Sequence, residues 1–320
     1  MKDAPELAAA APASPAGTAA QCATHLDGVA ITCLIGCCLL WGLNQVAIKA
    51  VLPDVPSLVQ LSLRSGIAAV LVLGWMRWRG VSFSLRDGTL APGLLAGTLF
   101  ALEFGCIFVG LKHTTAARSV VFINTSPFVV AIVLAWLTPT ERLRWPQIVG
   151  LLLAFSAIAQ AFWEGFAHRE HTAAANDQLL GDSLLLLAAV LWGLTTVVIR
   201  TTALRSAPSE KTLAYQLVVA AALSPLAALL AGQGWPQHWS LLALGSIFYQ
   251  GVIVTFVSYL VWFWLLTRYP ATKVQAFVFL SPLFGTASAG LLLDEPLGLR
   301  LLLALVGVVL GLVLMNRRPG

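Results

Sequence analysis

The sequence predicts an all-α membrane protein of ten transmembrane helices, arranged as two inverted five-helix repeats. Three observations carry this prediction. The first is composition: a 320-residue chain that is 58% hydrophobic and only 10% charged, with mean hydropathy +0.85, lacks the polar surface that a water-soluble globule needs. The second is a duplication. Trp41-Gly42-Leu43-Asn44-Gln45-Val46-Ala47-Ile48-Lys49 returns 151 residues later as Trp192-Gly193-Leu194-Thr195-Thr196-Val197-Val198-Ile199-Arg200. Residues 110–127 likewise align without a gap on residues 265–282, matching Ala116 with Ala271, Arg118 with Lys273 and Ser126-Pro127 with Ser281-Pro282. A unit this long is no solenoid repeat. The third is parity: five spans per half is an odd number, so the second half must enter the membrane in the opposite sense.

Taken in order, residues 1–28 are Ala- and Pro-rich with no apolar block to be cleaved, which reads as a disordered cytoplasmic tail and not a signal peptide. Ten apolar runs follow, at residues 29–49, 57–76, 90–111, 117–137, 146–163, 179–200, 211–231, 241–266, 272–293 and 299–316. Each is long enough to cross about 30 Å of hydrocarbon at 1.5 Å per residue. The first repeat is therefore 29–163 and the second 179–316, with 164–178 as a periplasmic connector. Short connections make neighbouring helices antiparallel.

Leaving out Arg64, thirteen Lys and Arg fall on the side of the N-terminus and five on the other, which places both termini in the cytoplasm. The net charge of +5 is thus a topology signal and not a nucleic-acid surface. The turns holding Glu141 and Asp294-Glu295-Pro296 match across the repeat and are expected to cap the fifth and tenth helices. The five cysteines form no disulfide framework or metal spacing. His168 and His171 read as solvated, and neither a cofactor nor a metal is expected.

A charge in hydrocarbon costs at least about 2.5 to 3.5 kcal/mol, so an ionisable residue inside a span needs a reason. Arg64 on the second span and Glu103 on the third both lie about 10 to 12 Å below the outer face. Asn44 and Gln45 on the first span and Asn124 on the fourth fall in the same layer. Trp41, Asn44 and Gln45 share one helical face, which suits the wall of an organic-solute pocket, while interhelical hydrogen bonding is the competing use. A desolvated carboxylate at Glu103 can exchange a proton, as proton-coupled transport requires; the competing role is a permanent ion pair with Arg64. Arg64 could instead bind a substrate carboxylate through its planar fork.

The second half is softer at the matched positions. Gln216 replaces Arg64 and Ser258 replaces Glu103, with Thr255, Tyr259 and Trp262 on the same face of the eighth span and Gln275 on the ninth. Trp192 repeats Trp41. These residues are candidates to line a solute path, with simple packing as the alternative. Pro127 and Pro282, at matched depths, each remove a backbone donor and open a helix, which points to a transport site.

The Trp41-Gly42 and Lys49 pattern, Arg64, Ser126-Pro127, the Glu141 turn, and the echoes Trp192-Gly193, Ser281-Pro282 and Glu295 resemble the EamA family of the drug/metabolite transporter superfamily over about residues 30–316. The resemblance implies a ten-helix inverted-repeat carrier in the bacterial inner membrane that typically exports amino acids, other metabolites or drugs. Glu103 is not carried by that resemblance and rests on its burial alone. The expected activity is secondary transport by alternating access of a small-molecule solute, with protons as a candidate coupling ion, since no nucleotide-binding loop is present. A passive channel or a flippase for lipid-linked solutes is the alternative, and an intramembrane enzyme is least favoured.

Overall fold

The computed structural model describes residues 27–84, 86–137, 145–167, 173–269, 274, 277–278 and 280–316. Among them the protein is entirely helical. The longer helices are α1 (Gly28–Ala50), α2 (Ser57–Trp78), α3 (Leu90–His113), α4 (Ala116–Ile123), α5 (Ser126–Leu137), α6 (Trp145–Ala167), α7 (Ala173–Thr201) and α8 (Ser209–Leu230). After α8 come α9 (Leu241–Phe248), a π-helical stretch (Tyr249–Ser258), α10 (Tyr259–Arg268), α11 (Leu280–Leu292) and α12 (Leu299–Asn316). Seven of the described helical segments are long and apolar enough to cross a membrane, and three shorter apolar ones accompany them. Leu230, Leu291 and Trp136 stand 81%, 80% and 92% exposed, as side chains facing lipid would. The protein is a multi-pass membrane protein.

Local chemistry sets the helix ends. Asp27 caps α1 by accepting from the Ala30 amide at 2.8 Å, and Thr115 caps α4 by accepting from the Arg118 amide at 3.2 Å. Between α4 and α5 the helix breaks at Asn124-Thr125, and Pro127 is the second residue of α5. Its ring is incompatible with the carbonyl four residues back, that of Ile123, where α4 stops. Pro282 is likewise near the start of α11, just after the turn at 277–278.

The core is built from facing helix pairs: α3 on α7, α6 on α12, α2 on α8 and α1 on α11. Two glycines permit close approaches between the halves of the sequence. A Cβ on Gly42 would stand 2.6 Å from the Gly285 amide nitrogen and 2.9 Å from the Ser281 carbonyl, and one on Gly193 would stand 2.7 Å from Val129 Cβ and 3.2 Å from the Ser126 carbonyl. Each Trp-Gly motif therefore abuts a Ser-Pro motif from the other half of the sequence.

Four expectations change. Glu295 does not cap its own helix: its two carboxylate oxygens accept from the Ala116 and Ala117 amides of α4 at 2.8 and 2.9 Å, because that helix start is the nearest set of unsatisfied donors. Helices α6 and α7 extend into 164–178, so the joining loop is shorter than the sequence suggests. The eighth span is not uniformly α-helical, since its middle widens into the π-helix. Arg118 and Lys211, counted among the charges of the two sides, are buried, and without them the count by side is twelve against four. Glu141, His168, His171, Gln275 and residues 1–26 lie outside the described residues.

Candidate functional site

A cavity of about 500 Å³ opens among α1, α2, α3, α4, α7, α8, α10 and the start of α11. Ten of the residues singled out from the sequence line it: Trp41, Asn44, Gln45, Arg64, Glu103, Asn124, Trp192, Gln216, Tyr259 and Trp262. Pro127, Ser258 and Pro282 are not among its lining residues. Ser258 instead sits one layer behind, accepting from the Trp41 indole nitrogen at 2.8 Å and donating to the Val254 carbonyl. That bond and the edge-on contacts of Trp41 with Tyr259 and Trp262, at ring separations of 6.2 and 5.0 Å, fix the indole in the cavity wall.

Arg64 is held from two sides. Its Nε donates to the Thr255 hydroxyl at 2.7 Å, and that hydroxyl spends its own proton on the Gln250 carbonyl at 2.7 Å inside the π-helix. The guanidinium carbon lies 3.9 Å from the centre of the Phe104 ring and 5.9 Å from that of Phe108. Cation–π contact in a desolvated setting is worth about 2 kcal/mol, which offsets part of the burial of an arginine only 1% exposed. The wide π turn sets the Thr255 hydroxyl where Arg64 reaches it.

The held arginine is still incompletely paired. Arg64 Nη1, Glu103 Oε2, Asn44 Oδ1 and Gln45 Oε1 are all buried without a hydrogen-bond partner in the protein. All four belong to residues lining this cavity. Arg64 and Glu103 make no direct ion pair among the described residues. Unpaired buried groups of this kind are rare and costly, and here one cation, one carboxylate and two amide acceptors converge on one space. Asn124 is different: its Nδ2 folds back on the Val120 carbonyl at 2.7 Å.

The sequence reading missed the apolar part of the wall, Phe100, Phe104, Ile107 and Leu213, and the polar Thr195, Thr196 and Arg200. Arg200 had a signal, since it matches Lys49 in the repeat. It also missed the polar ties outside the cavity. Arg118 on α4 grips Asp182 on α7 through Nε at 3.1 Å to both oxygens, and Thr114 donates to the same carboxylate at 2.8 Å. At the opposite end Lys211 on α8 pairs with Asp87 in the α2–α3 loop. The hydrogen bond from Lys211, then that from Thr89, lowers the Asp87 carboxyl from 3.8 to about 2. Among the described residues no cluster of His, Cys, Asp and Glu could hold a metal ion.

Comparison with known proteins gives a consistent picture. The model of the EamA-like transporter family matches residues 28–163 and again 179–317. An uncharacterized transporter of Bacillus subtilis is 27% identical, the match covering 88% of this chain and 89% of that protein. A protein of Escherichia coli named a probable amino-acid metabolite efflux pump is 28% identical over 85% of this chain and 88% of its own. A solved crystal structure shares the fold at 20% identity with a TM-score of 0.62, covering 90% of this chain and 96% of that one.

Proposed function

The chain belongs to the EamA-like transporter family, and from that premise we propose that it is a secondary carrier exporting small metabolites of the amino-acid type across the cell inner membrane by alternating access. The observation that carries the reading is the convergence of Arg64 Nη1, Glu103 Oε2, Asn44 Oδ1 and Gln45 Oε1, each buried and unpaired, on one cavity. A guanidinium edge receives a carboxylate, the carboxylate oxygen receives an ammonium group or a proton, and Phe100, Phe104 and Trp192 accept an apolar side chain. The solute bound there would complete the hydrogen bonds that the protein leaves open. The E. coli relative's name points the same way.

The architecture we propose is ten spans in two inverted units, 29–163 and 179–316, joined by a periplasmic connector and with cytoplasmic termini. It is supported by reciprocity. Gly42 meets Ser281 as Gly193 meets Ser126, and the pairing of α1 with α11 has its counterpart in α7 with α5. Those exchanges are what a two-fold axis in the membrane plane would generate. Glu103, the one carboxylate among the described residues lining the cavity, is the proposed proton-coupling group.

The test is transport in proteoliposomes loaded with amino acids. Saturable flux that follows an imposed pH gradient is the expected result. Flux that rises linearly with solute and ignores the gradient would instead make the protein a passive channel.

A further inference from the structure

We propose that the cavity selects solutes of net negative charge, amino acids that carry a second acid group, and that Arg200 at its mouth is the residue that makes the selection. The proposal rests on the reading of Arg64 and Glu103 as the holders of an amino-acid head group and adds to it the class of side chain that the head group carries.

Charge decides the class. Among the described residues lining the cavity the cations are Arg64 and Arg200 and the acid is Glu103. A zwitterion held between Arg64 and Glu103 therefore leaves one positive charge over. Lys211, two residues before the lining residue Leu213, adds nothing to that excess, because it is already paired with Asp87. Arg200 is exposed and makes no hydrogen bond or ion pair among the described residues. Its match in the repeat is in the opposite condition. Lys49 is not among the lining residues, and its Nζ donates to the Leu111 carbonyl at 3.0 Å and to the Thr114 carbonyl. One cation is answered by the protein's own carbonyls, and the other is left for a group that enters.

The position of Arg200 suits that task. Trp192, Thr195, Thr196, Ile199 and Arg200 fall at i, i+3, i+4, i+7 and i+8 on α7, and all five line the cavity. Eight residues rise about 12 Å, so one stripe leads from the indole to the exposed guanidinium near the end of the helix. Ile199, together with Leu213 from α8, adds apolar wall to the same lining. A charge at the mouth of a cleft with low-dielectric walls focuses its field into the cleft and concentrates counter-ions there. The cavity of about 500 Å³ falls within the roughly 300–1,000 Å³ that encloses whole organic ligands, which leaves room for a charged side chain beyond the head group. Glutamate and glutamine differ in charge and hardly in shape, so a charge at the mouth separates them where a steric pocket would not.

The test is equilibrium binding of tritiated glutamate, glutamine and succinate to the full-length protein in lipid nanodiscs, read by scintillation proximity, which requires no transport. The wild type should bind glutamate at least about tenfold more tightly than glutamine, the lower end of enrichment by a charged cleft. Raising salt from about 0.1 M to 1 M, which shortens the screening length from about 10 Å to 3 Å, should narrow that advantage. Arg200→Gln should abolish it by weakening glutamate while glutamine affinity stays, and Arg200→Lys should keep it, since a point charge at the mouth suffices. Unaltered glutamine binding in R200Q also reports that the variant is folded, and the wild-type ratio with its salt dependence needs no variant at all. Equal affinity for the two amino acids in the wild type, or an R200Q that weakens both alike or neither, would overturn the proposal and leave the amino-acid site standing. Succinate carries two acid groups and no ammonium. If it alone binds, and R200Q abolishes that binding, selection by charge stands and the amino-acid site falls; if none of the three binds, both fall.

Discussion

Substituting Gly42 by alanine puts a methyl group into a close backbone contact between α1 and α11 beside the cavity. Its carbon would lie 2.6 Å from the Gly285 nitrogen, 2.9 Å from the Ser281 oxygen and 3.0 Å from the Gly285 Cα, all backbone atoms. Ordinary contact begins at 3.4 Å, so α1 and α11 must part by roughly 0.8 Å, and no side-chain rotation can absorb the difference. Overpacking of this kind costs about 1–3 kcal/mol, while alanine returns up to about 1 kcal/mol of helix propensity over glycine. Gly36→Ala on the same helix isolates the two effects, since a Cβ there has nothing within 4 Å and carries only the propensity gain. G42A should therefore be less stable than G36A by about 1–3 kcal/mol, or about 5- to 150-fold in the folded-to-unfolded ratio. Thermal unfolding of both proteins in one detergent measures the difference. Transport should fall in G42A as well, because Trp41, Asn44 and Gln45 ride on the displaced helix. If G42A and G36A melt together and transport alike, the close clasp between the Trp-Gly and Ser-Pro motifs is not what joins these helices.

Further outcomes follow from the cavity and its surroundings. Glu103→Gln keeps shape but cannot ionise, so flux driven by a pH gradient should be lost in proteoliposomes while solute exchange without a gradient persists; undiminished gradient-driven flux would remove Glu103 from coupling. Arg64→Lys preserves charge but loses the fork and the Nε bond to Thr255. Solute affinity measured by equilibrium binding should then drop about tenfold, equivalent to about 1.4 kcal/mol. Asp87→Asn should lower the melting temperature at pH 5 to 8, where the wild-type carboxylate is ionised and paired with Lys211. The folded-state value of Asp87 is depressed to about 2, so its contribution is complete above its ordinary 3.8 and is lost as pH falls through about 2. Melting curves of D87N and wild type should therefore converge toward pH 2.

Much of the site was legible because a charge inside an apolar run announces its own cost. Arg64 and Glu103 needed no partner in view to be singled out, and helical spacing alone placed Trp41, Asn44 and Gln45 on one face. Other residues gave the opposite impression. Lys211, the first residue of its span, carried no signal of burial, yet it is 1% exposed and reaches Asp87. Glu295, followed by proline, resembled the cap of its own helix, yet it serves α4. Thr255 looked like one polar residue on an α-helical face, and only the π-helix shows why it meets Arg64.

The sequence by itself determined that the chain lives in a bilayer, that it contains a duplicated unit, and which side chains are too costly to face lipid, because hydropathy, repetition and helical period are all properties of neighbouring residues. Tertiary structure alone decided which charge pairs with which donor, which polar atoms remain unpaired in the cavity, and that Lys49 is engaged while its repeat-matched Arg200 is exposed. Those outcomes depend on groups tens to hundreds of residues apart, such as Arg64 with Thr255 and Lys49 with Thr114. Such pairs leave no local pattern, and only the packing of helices from both halves brings them within reach.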